Sequence, residues 1–326
     1  MITFYTGDAG RLTANSGFIT AEQLPTALWI DLSAPTPAEE QHLEHLLGLD
    51  LPTREEMGKI EDSQRLFARA DALVLTLGVL LQADDDYPHV EDLTFVLTPQ
   101  HLISVRYIAP RALAIFAARS AQTAARGVDA EALLLGLLET LLETLAGHID
   151  AIGDDLDRLG QEVLAPAARA VRHRRLNYAA LLRRLEHNHT LTAKSRASLV
   201  SLGRLLGFLS FGLAGERLSH ATRARSQTLL GDTQALLEHT GFVANNISFE
   251  LAAILGMVNI EQNSIIKFFS VVSVVFLPPT LVASVYGMNF QHMPELQSPW
   301  GYPLAVLLML LSSVLPYLCF RRKGWL

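Results

Sequence analysis

Over the first hundred residues the apolar positions fall in short runs bounded by turn-forming residues. ALWIDL (27–32), ALVLTLGVLL (72–81), LTFVLT (93–98) and LISVRY (102–107) read as strands, the last two joined by a Pro-Gln-His turn. Between them, Thr36-Pro37-Ala38-Glu39 forms a capping box with proline at the first helical position, opening a helix that stops at Gly48. Thr53-Arg54-Glu55-Glu56 is a second such box. The pattern predicts a small α/β domain over residues 1–125.

From Pro110 onward the strand signal disappears and the apolar period lengthens to that of a helix. Leu133, Leu134, Leu137, Leu138, Leu141, Leu142 and Leu145 repeat at i, i+3 and i+4 within a helix expected over 129–163. A second long helix is expected from Pro166 to about Ser210. After FGLAGE the helical signal resumes at Glu216 and runs to Tyr286, a span of about 105 Å if continuous at 1.5 Å per residue. Residues 126–267 thus read as a stalk of long helices.

The pattern then changes in kind. Residues 268–294 and 296–320 carry no charge, and FFSVVSVVFLPPTLVASVY (268–286) and YPLAVLLMLLSSVLPYLCF (302–320) each make a helix of about 28 Å, close to the hydrocarbon thickness of a bilayer. One such segment could be a buried soluble helix; two in succession read as transmembrane helices, joined by an outer loop (287–301) and followed by a tail (321–326). Lys267 precedes the first and Arg321-Arg322-Lys323 follows the second, while the loop holds no Lys or Arg. That asymmetry puts the N- and C-termini in the cytoplasm. Tyr286, Trp300, Tyr302 and Trp325 fall near the expected interfaces. A hairpin of two helices encloses no aqueous path, so conduction would require an oligomer.

Charge sharpens this division. The chain has 26 basic and 33 acidic residues among 326, a formal net charge of −7 and a mean hydropathy of +0.26. Beyond Lys267 only Glu295, Arg321, Arg322 and Lys323 are charged. An acidic surface without a basic face argues against a nucleic-acid partner. A single cysteine, Cys319, excludes an intramolecular disulfide and any CxxC motif. MITFYTGDAG lacks the basic and apolar regions of a cleaved signal peptide. No GxxxxGK[ST], GxGxxG after a strand, GxSxG or HExxH is present, so no catalytic pattern argues for an enzyme. His42 with His45, and His187 with His189, read as surface histidines. Arg172-His173-Arg174-Arg175 and Arg183-Arg184 read as a solvated basic face. Asp84, Asp85 and Asp86 suit either a solvated turn or a hard divalent cation.

Along the first apolar helix, Asn263, Ile266, Ser270, Ser273, Leu277, Thr280 and Ser284 step alternately by three and four residues, a seam of period 3.5. Periodicity leaves two readings open. The seam lines a pore, or its hydroxyls bond back to their own helix and ease helix packing. Pro278-Pro279 removes two backbone donors within the helix. The second helix, rich in Leu, Val and Met, reads as the lipid-facing member.

The loop carries the most specific motif. Tyr286-Gly287-Met288-Asn289-Phe290, followed by Met293-Pro294-Glu295-Leu296, resembles the CorA family of magnesium and cobalt transporters. That family has Gly-Met-Asn at the outer end of its first transmembrane helix and then Met-Pro-Glu-Leu. The likeness extends through NIEQNSIIKFFSVVSVVFLPPTLVASVYGMNF and the basic tail. It implies an α+β membrane protein with a cytoplasmic α/β domain, a helical stalk and two transmembrane helices per subunit. It further implies a homopentameric funnel in a bacterial inner membrane, carrying Mg²⁺ with Co²⁺ or Ni²⁺ as secondary ions, with the first helix lining the pore and lipid around the second.

On this resemblance Gly287, Met288 and Asn289 form the selectivity filter, with five Asn289 oxygens bonding the water shell of Mg²⁺, and Gly287 permitting a tight turn. Glu295 adds an outer ring of negative charge. Asn263, Ser273 and Thr280 give polar pore rings, and Ile266, Phe269 and Leu277 apolar constrictions. Here family register selects Phe269 where the seam selects Ser270. Mg²⁺ is also the implied regulator, bridging subunits through Asp232 and a partner among Asp84, Asp85 and Asp86. Two alternatives follow from the same residues: a zinc transporter on this scaffold, and a non-conducting membrane-anchored coiled-coil protein.

Overall fold

A computed structural model describes residues 1–8, 11–58, 65–69, 71–81, 83, 87–122, 129–164, 177–288, 293–294 and 298–323. Contacts divide the chain into two units, Met1–Leu251 and Ala252–Leu326.

The first unit is built on a seven-stranded sheet of order β2-β1-β3-β7-β6-β5-β4. Its strands are β1 (Ile2–Asp8), β2 (Arg11–Ser16), β3 (Ala27–Ser33), β4 (Leu66–Arg69), β5 (Ala72–Leu81), β6 (His89–Leu97) and β7 (Leu102–Arg106). All neighbours are antiparallel except β3 and β7, which pair in parallel with Trp29 opposite Leu102. The four strands expected from the sequence occupy the centre, and β1, β2 and β4 extend the sheet to its edges. β5 is buried from Ala72 to Val79, which explains its nearly unbroken apolar run: both faces of the sheet are covered.

One face packs on α1 (Pro37–Leu47) and α2 (Arg54–Met57), where Ile30, Leu32, Val96 and Ile103 meet Leu43, Leu51 and Met57. Both capping boxes form as expected, with Thr36 accepting from the Glu39 N–H and Thr53 from the Glu56 N–H, and α1 ends at Gly48 in the left-handed conformation (φ 65°). His42 Nε2 lies 2.8 Å from the Ile19 carbonyl, so this ring braces α1 against a loop instead of standing free at the surface.

The other face carries α3 (Arg111–Gln122), α4 (Ala130–Leu164) and α5 (Tyr178–Ser210). Trp29 on β3 packs edge-on against Phe116 of α3 and donates to Ser104 Oγ, which in turn donates to the buried Asp31. Arg106 pairs with Asp31 at 2.8 Å, so the single buried carboxylate of this strand is matched by a guanidinium from the parallel neighbour. The backbone N–H of Gly78 in β5 donates to Ser201 Oγ of α5, fixing that helix on the sheet. Between α4 and α5, Arg184 reaches Asp155 at 2.6 Å and Glu162 at 3.3 Å, and Asn188 donates to Asp155. Arg184 is therefore a clamp between helices and not part of a solvated basic face. Arg172–Arg175 lie outside the described residues.

The helix expected from Glu216 begins later. α6 (Gly212–Arg217) is a separate short helix, Leu218 is extended (φ −93°, ψ 154°), and α7 starts at His220. Arg223 closes this corner by donating to the Gly215 carbonyl. α7 then runs as one 67-residue helix to Tyr286, with Pro278 and Pro279 inside it. In the second unit it is followed by α8 (Gly301–Arg322), which contains Pro316.

Among the described residues three helices are long and apolar enough to cross a membrane: α4, α7 and α8. They differ in cover. The most apolar stretch of α4 is 56 % buried, whereas those of α7 and α8 are 0 % and 6 % buried. The leucine face of α4 is spent on the protein core; among the described residues, the apolar stretches of α7 and α8 are left almost wholly without full burial.

Candidate ion pathway

The candidate pathway is built on the last turns of α7. A helix without proline satisfies each carbonyl with the N–H four residues on. Pro278 and Pro279 have no N–H, so the carbonyls of Val274 and Val275 lose their usual donors. One turn away, Thr280 donates its hydroxyl to the Phe276 carbonyl at 2.7 Å, reinforcing the helix just beyond the proline pair. Ser270 makes the same backward bond to Ile266 at 2.8 Å. Backward bonding, the second reading of the hydroxyl seam, is therefore found at these two residues. A hydroxyl whose proton is given to its own helix turns its lone pairs outward, where they accept hydrogen bonds from water.

Asn263, Ile266, Phe269, Ser273, Leu277 and Thr280 are all exposed, the apolar members to a marked degree: Ile266 54 %, Phe269 63 % and Leu277 67 %. Between 268 and 286 the half-buried positions 271, 272, 274, 275, 278, 279, 282 and 286 lie together on the opposite face at 100° per residue. The expected pore positions thus occupy an uncovered stripe of the helix. Phe268 and Phe269 contact edge to face, with ring centres 5.7 Å apart. Phe269 and Ser270 are both exposed, so the chain by itself accommodates either register.

At the end of α7 the Gly287 N–H donates to Ala283 O at 2.9 Å, and the Met288 N–H to Val285 O at 3.3 Å. What favours glycine here is space. Gly287 is not in the left-handed region, but a Cβ at this position would stand 3.1 Å from the Ala283 carbonyl oxygen. Met288 is 46 % exposed. Asn289 and Glu295 lie outside the described residues. Downstream, Ser298 accepts from the Trp300 N–H ahead of α8, and Trp300 and Tyr302 are 72 % and 81 % exposed.

In the first unit Asp232 is exposed on α7. Asp84, Asp85 and Asp86 lie outside the described residues, so their expected pairing with Asp232 is not among the contacts described. No group of three or more His, Cys, Asp or Glu among the described residues could hold a metal ion. Sequence reasoning missed a different acidic feature, where α7 meets α4. Glu250 packs over Gly160, its Oε2 is shut off from solvent without a hydrogen-bond partner, and burial together with the charge of Asp157 raises its pKa. No local motif marks it, because the contact joins residues far apart in sequence.

Comparison with known proteins bears on the whole chain. The family model described as "CorA-like Mg2+ transporter protein" matches residues 26–322. Proteins named magnesium transport protein CorA from Yersinia pseudotuberculosis and from Escherichia coli K12 are each 36 % identical over 306 residues, covering 94 % of this chain and 94 % of theirs. The complete structure of a CorA magnesium transporter from Methanocaldococcus jannaschii superimposes with a TM-score of 0.77 at 18 % identity, over 100 % of this chain and 99 % of that one. That likeness establishes the common fold, an α/β domain with a helical stalk. Family membership also accounts for the lack of a catalytic motif, since these proteins move an ion and transform no substrate. The chain belongs to the CorA-like Mg²⁺ transporter family and is a transporter, not an enzyme.

Proposed function

We propose that the chain forms a channel-like homopentamer that carries Mg²⁺ across the bacterial inner membrane and is closed by cytoplasmic Mg²⁺. The observation that carries this reading is the uncovered stripe of α7, where alternating polar and apolar side chains end at Gly-Met-Asn. In a single subunit such a stripe leaves large apolar side chains without cover; a ring of subunits turns it toward a common axis. The two apolar helices span the membrane over 268–286 and 302–320, with the loop 287–301 outside and both termini in the cytoplasm. The α/β domain (1–125) and stalk (126–267) form the cytoplasmic sensor, and 268–326 the pore.

Each part has a physical role. Glu295 concentrates cations at the outer mouth. The Asn289 ring accepts from the waters of hydrated Mg²⁺, an ion that dehydrates reluctantly, with Gly287 and Met288 holding the asparagine in place. Thr280, Ser273 and Asn263 offer oxygen rings to the water shell. Leu277, Phe269 and Ile266 narrow the path, and dewetting at the cytoplasmic pair closes it without a plug. Asp232 and one of Asp84, Asp85 and Asp86 bind Mg²⁺ between subunits; loss of the ion leaves facing carboxylates that repel and loosen the ring. Co²⁺ and Ni²⁺, also octahedral and hydrated, are secondary ions.

Purified protein in liposomes tests this directly. Influx of Mg²⁺, Co²⁺, Ni²⁺ and Zn²⁺ is followed while internal Mg²⁺ is varied. Mg²⁺ influx that falls as internal Mg²⁺ rises supports the reading. Zn²⁺ carried in preference to Mg²⁺, or no cation flux at all, overturns it.

A further inference from the structure

Away from the pathway, the first unit holds a cavity of about 190 Å³ between the second half of β5, the start of α3, the middle of α4 and α5. Leu141, Leu145 and Leu202 supply apolar walls, and Thr144, Ser198, Arg111 and His148 polar groups. These polar groups are graded in burial. Arg111 is exposed, His148 half-buried, and Ser198 only 2 % exposed. The cavity therefore has a cationic mouth and a closed end with a hydroxyl.

That hydroxyl is the unusual element. Ser198 and Ser201 lie one turn apart on the face of α5 that meets β5. Ser201 accepts the Gly78 N–H at 2.9 Å, whereas Ser198 Oγ is buried with no hydrogen-bond partner. A buried hydroxyl left without a partner is costly, and an alanine at this place would avoid the cost. Something that enters the cavity and bonds to Ser198 removes it. Arg111, which has an interaction of its own, places a guanidinium with five N–H donors at the exposed end of the cavity.

We propose that this cavity binds a small amphipathic carboxylate that carries a second hydrogen-bonding group. The carboxylate sits at Arg111 beside His148, the apolar body lies along Leu141, Leu145 and Leu202, and the second group bonds to Ser198 at the closed end. Because the walls come from the sheet and from three helices, the occupant ties these elements together.

The test uses the full chain purified in detergent, with 6-hydroxyhexanoate, hexanoate and hexane-1,6-diol as probes in equilibrium titrations. The hydroxy acid binds saturably, and more tightly than either of the others by about tenfold for each partner lost. Ser198→Ala lowers its affinity to that of hexanoate, and Arg111→Gln lowers it to that of the diol. Leu145→Trp, which fills the cavity, abolishes binding of all three; if that variant does not fold, Ser198→Ala decides alone. The proposal is overturned if no probe binds saturably to the folded protein, or if Ser198→Ala binds the hydroxy acid as well as the parent does. A Ser198→Ala variant that melts higher while no probe binds the parent also overturns it, since the hydroxyl then holds at most an internal water.

Discussion

Gly287 donates its N–H to the carbonyl oxygen of Ala283 at 2.9 Å, and a Cβ at position 287 would lie 3.1 Å from that same oxygen, a contact tight enough that the turn would have to give by a few tenths of an ångström. Glycine at 287 lets the last turn of α7 close without that contact, and the residue two positions on is the asparagine assigned to the filter. Gly287→Ala should open this turn at a local cost of about 1 kcal/mol, leaving the fold intact. Mg²⁺ influx into liposomes should fall sharply while the oligomer elutes unchanged from a sizing column. Normal influx would separate the turn from the filter.

Closure by internal Mg²⁺ is predicted to pass through Asp232, exposed on α7. Asp232→Lys replaces a carboxylate that attracts the ion with an ammonium that repels it. Current at low internal Mg²⁺ should be retained, and the concentration needed for closure should rise. An unchanged inhibition curve would remove Asp232 from the regulatory site.

The α4–α5 clamp predicts an acid-side loss of stability. Partial burial of Asp155 works against its charge, but hydrogen bonds from Arg184 and Asn188 outweigh it and hold the carboxyl below its ordinary value of 3.8. A depressed carboxylate contributes stability above that ordinary value and loses it as pH falls through the lower, folded value. Arg184→Ala should thus lower Tm at pH 7, through a loss of stability of about 1 kcal/mol after solvent screening. In strong acid, where Asp155 is protonated in both proteins, the contribution of this ion pair to the difference should vanish. A difference in Tm that persists undiminished into strong acid would show that Arg184 acts by packing alone.

Glu250 predicts the opposite sign. Burial, with the charge of Asp157 added, raises its carboxyl above the ordinary value of 4.5. Between that value and the raised one the folded protein holds more protons than the unfolded chain, so its stability falls as pH rises through the folded value. Glu250→Gln carries no charge and should melt higher than the parent above this window. Below the ordinary value, where Glu250 is neutral in both folded and unfolded chains, the advantage should disappear. Thermal unfolding across pH decides this, and equal Tm values at neutral and alkaline pH would show that the buried oxygen carries no penalty.

Where local physics dominates, the chain could be read in advance. Thr36 and Thr53 announce their helices because a capping box needs only four consecutive residues, and β5 announces itself because both its faces are buried. The edge strands escaped for the converse reason. β2 buries little beyond Leu12, and the four-residue β4 has no fully buried residue, so neither carries an apolar pattern distinct from a loop. His42 and Arg184 looked like surface groups because their partners, Ile19 and Asp155, are 23 and 29 residues away. The break expected over FGLAGE is instead the short helix α6, and the chain extends only at Leu218, so the long helix starts at His220, four residues after the expected Glu216. At the candidate site, the period of the polar seam was legible and its exposure agrees, but one residue of register, Phe269 against Ser270, depends on neighbours that a single chain does not contain.

The central claim is that Asn289 selects hydrated Mg²⁺ at the mouth of a pore lined by α7. Its most direct test is Mg²⁺ influx into liposomes holding either the parent protein or Asn289→Ala, each first shown to form the same oligomer. Influx through the parent that is abolished in Asn289→Ala is the predicted result. Influx retained by an intact Asn289→Ala oligomer would contradict it.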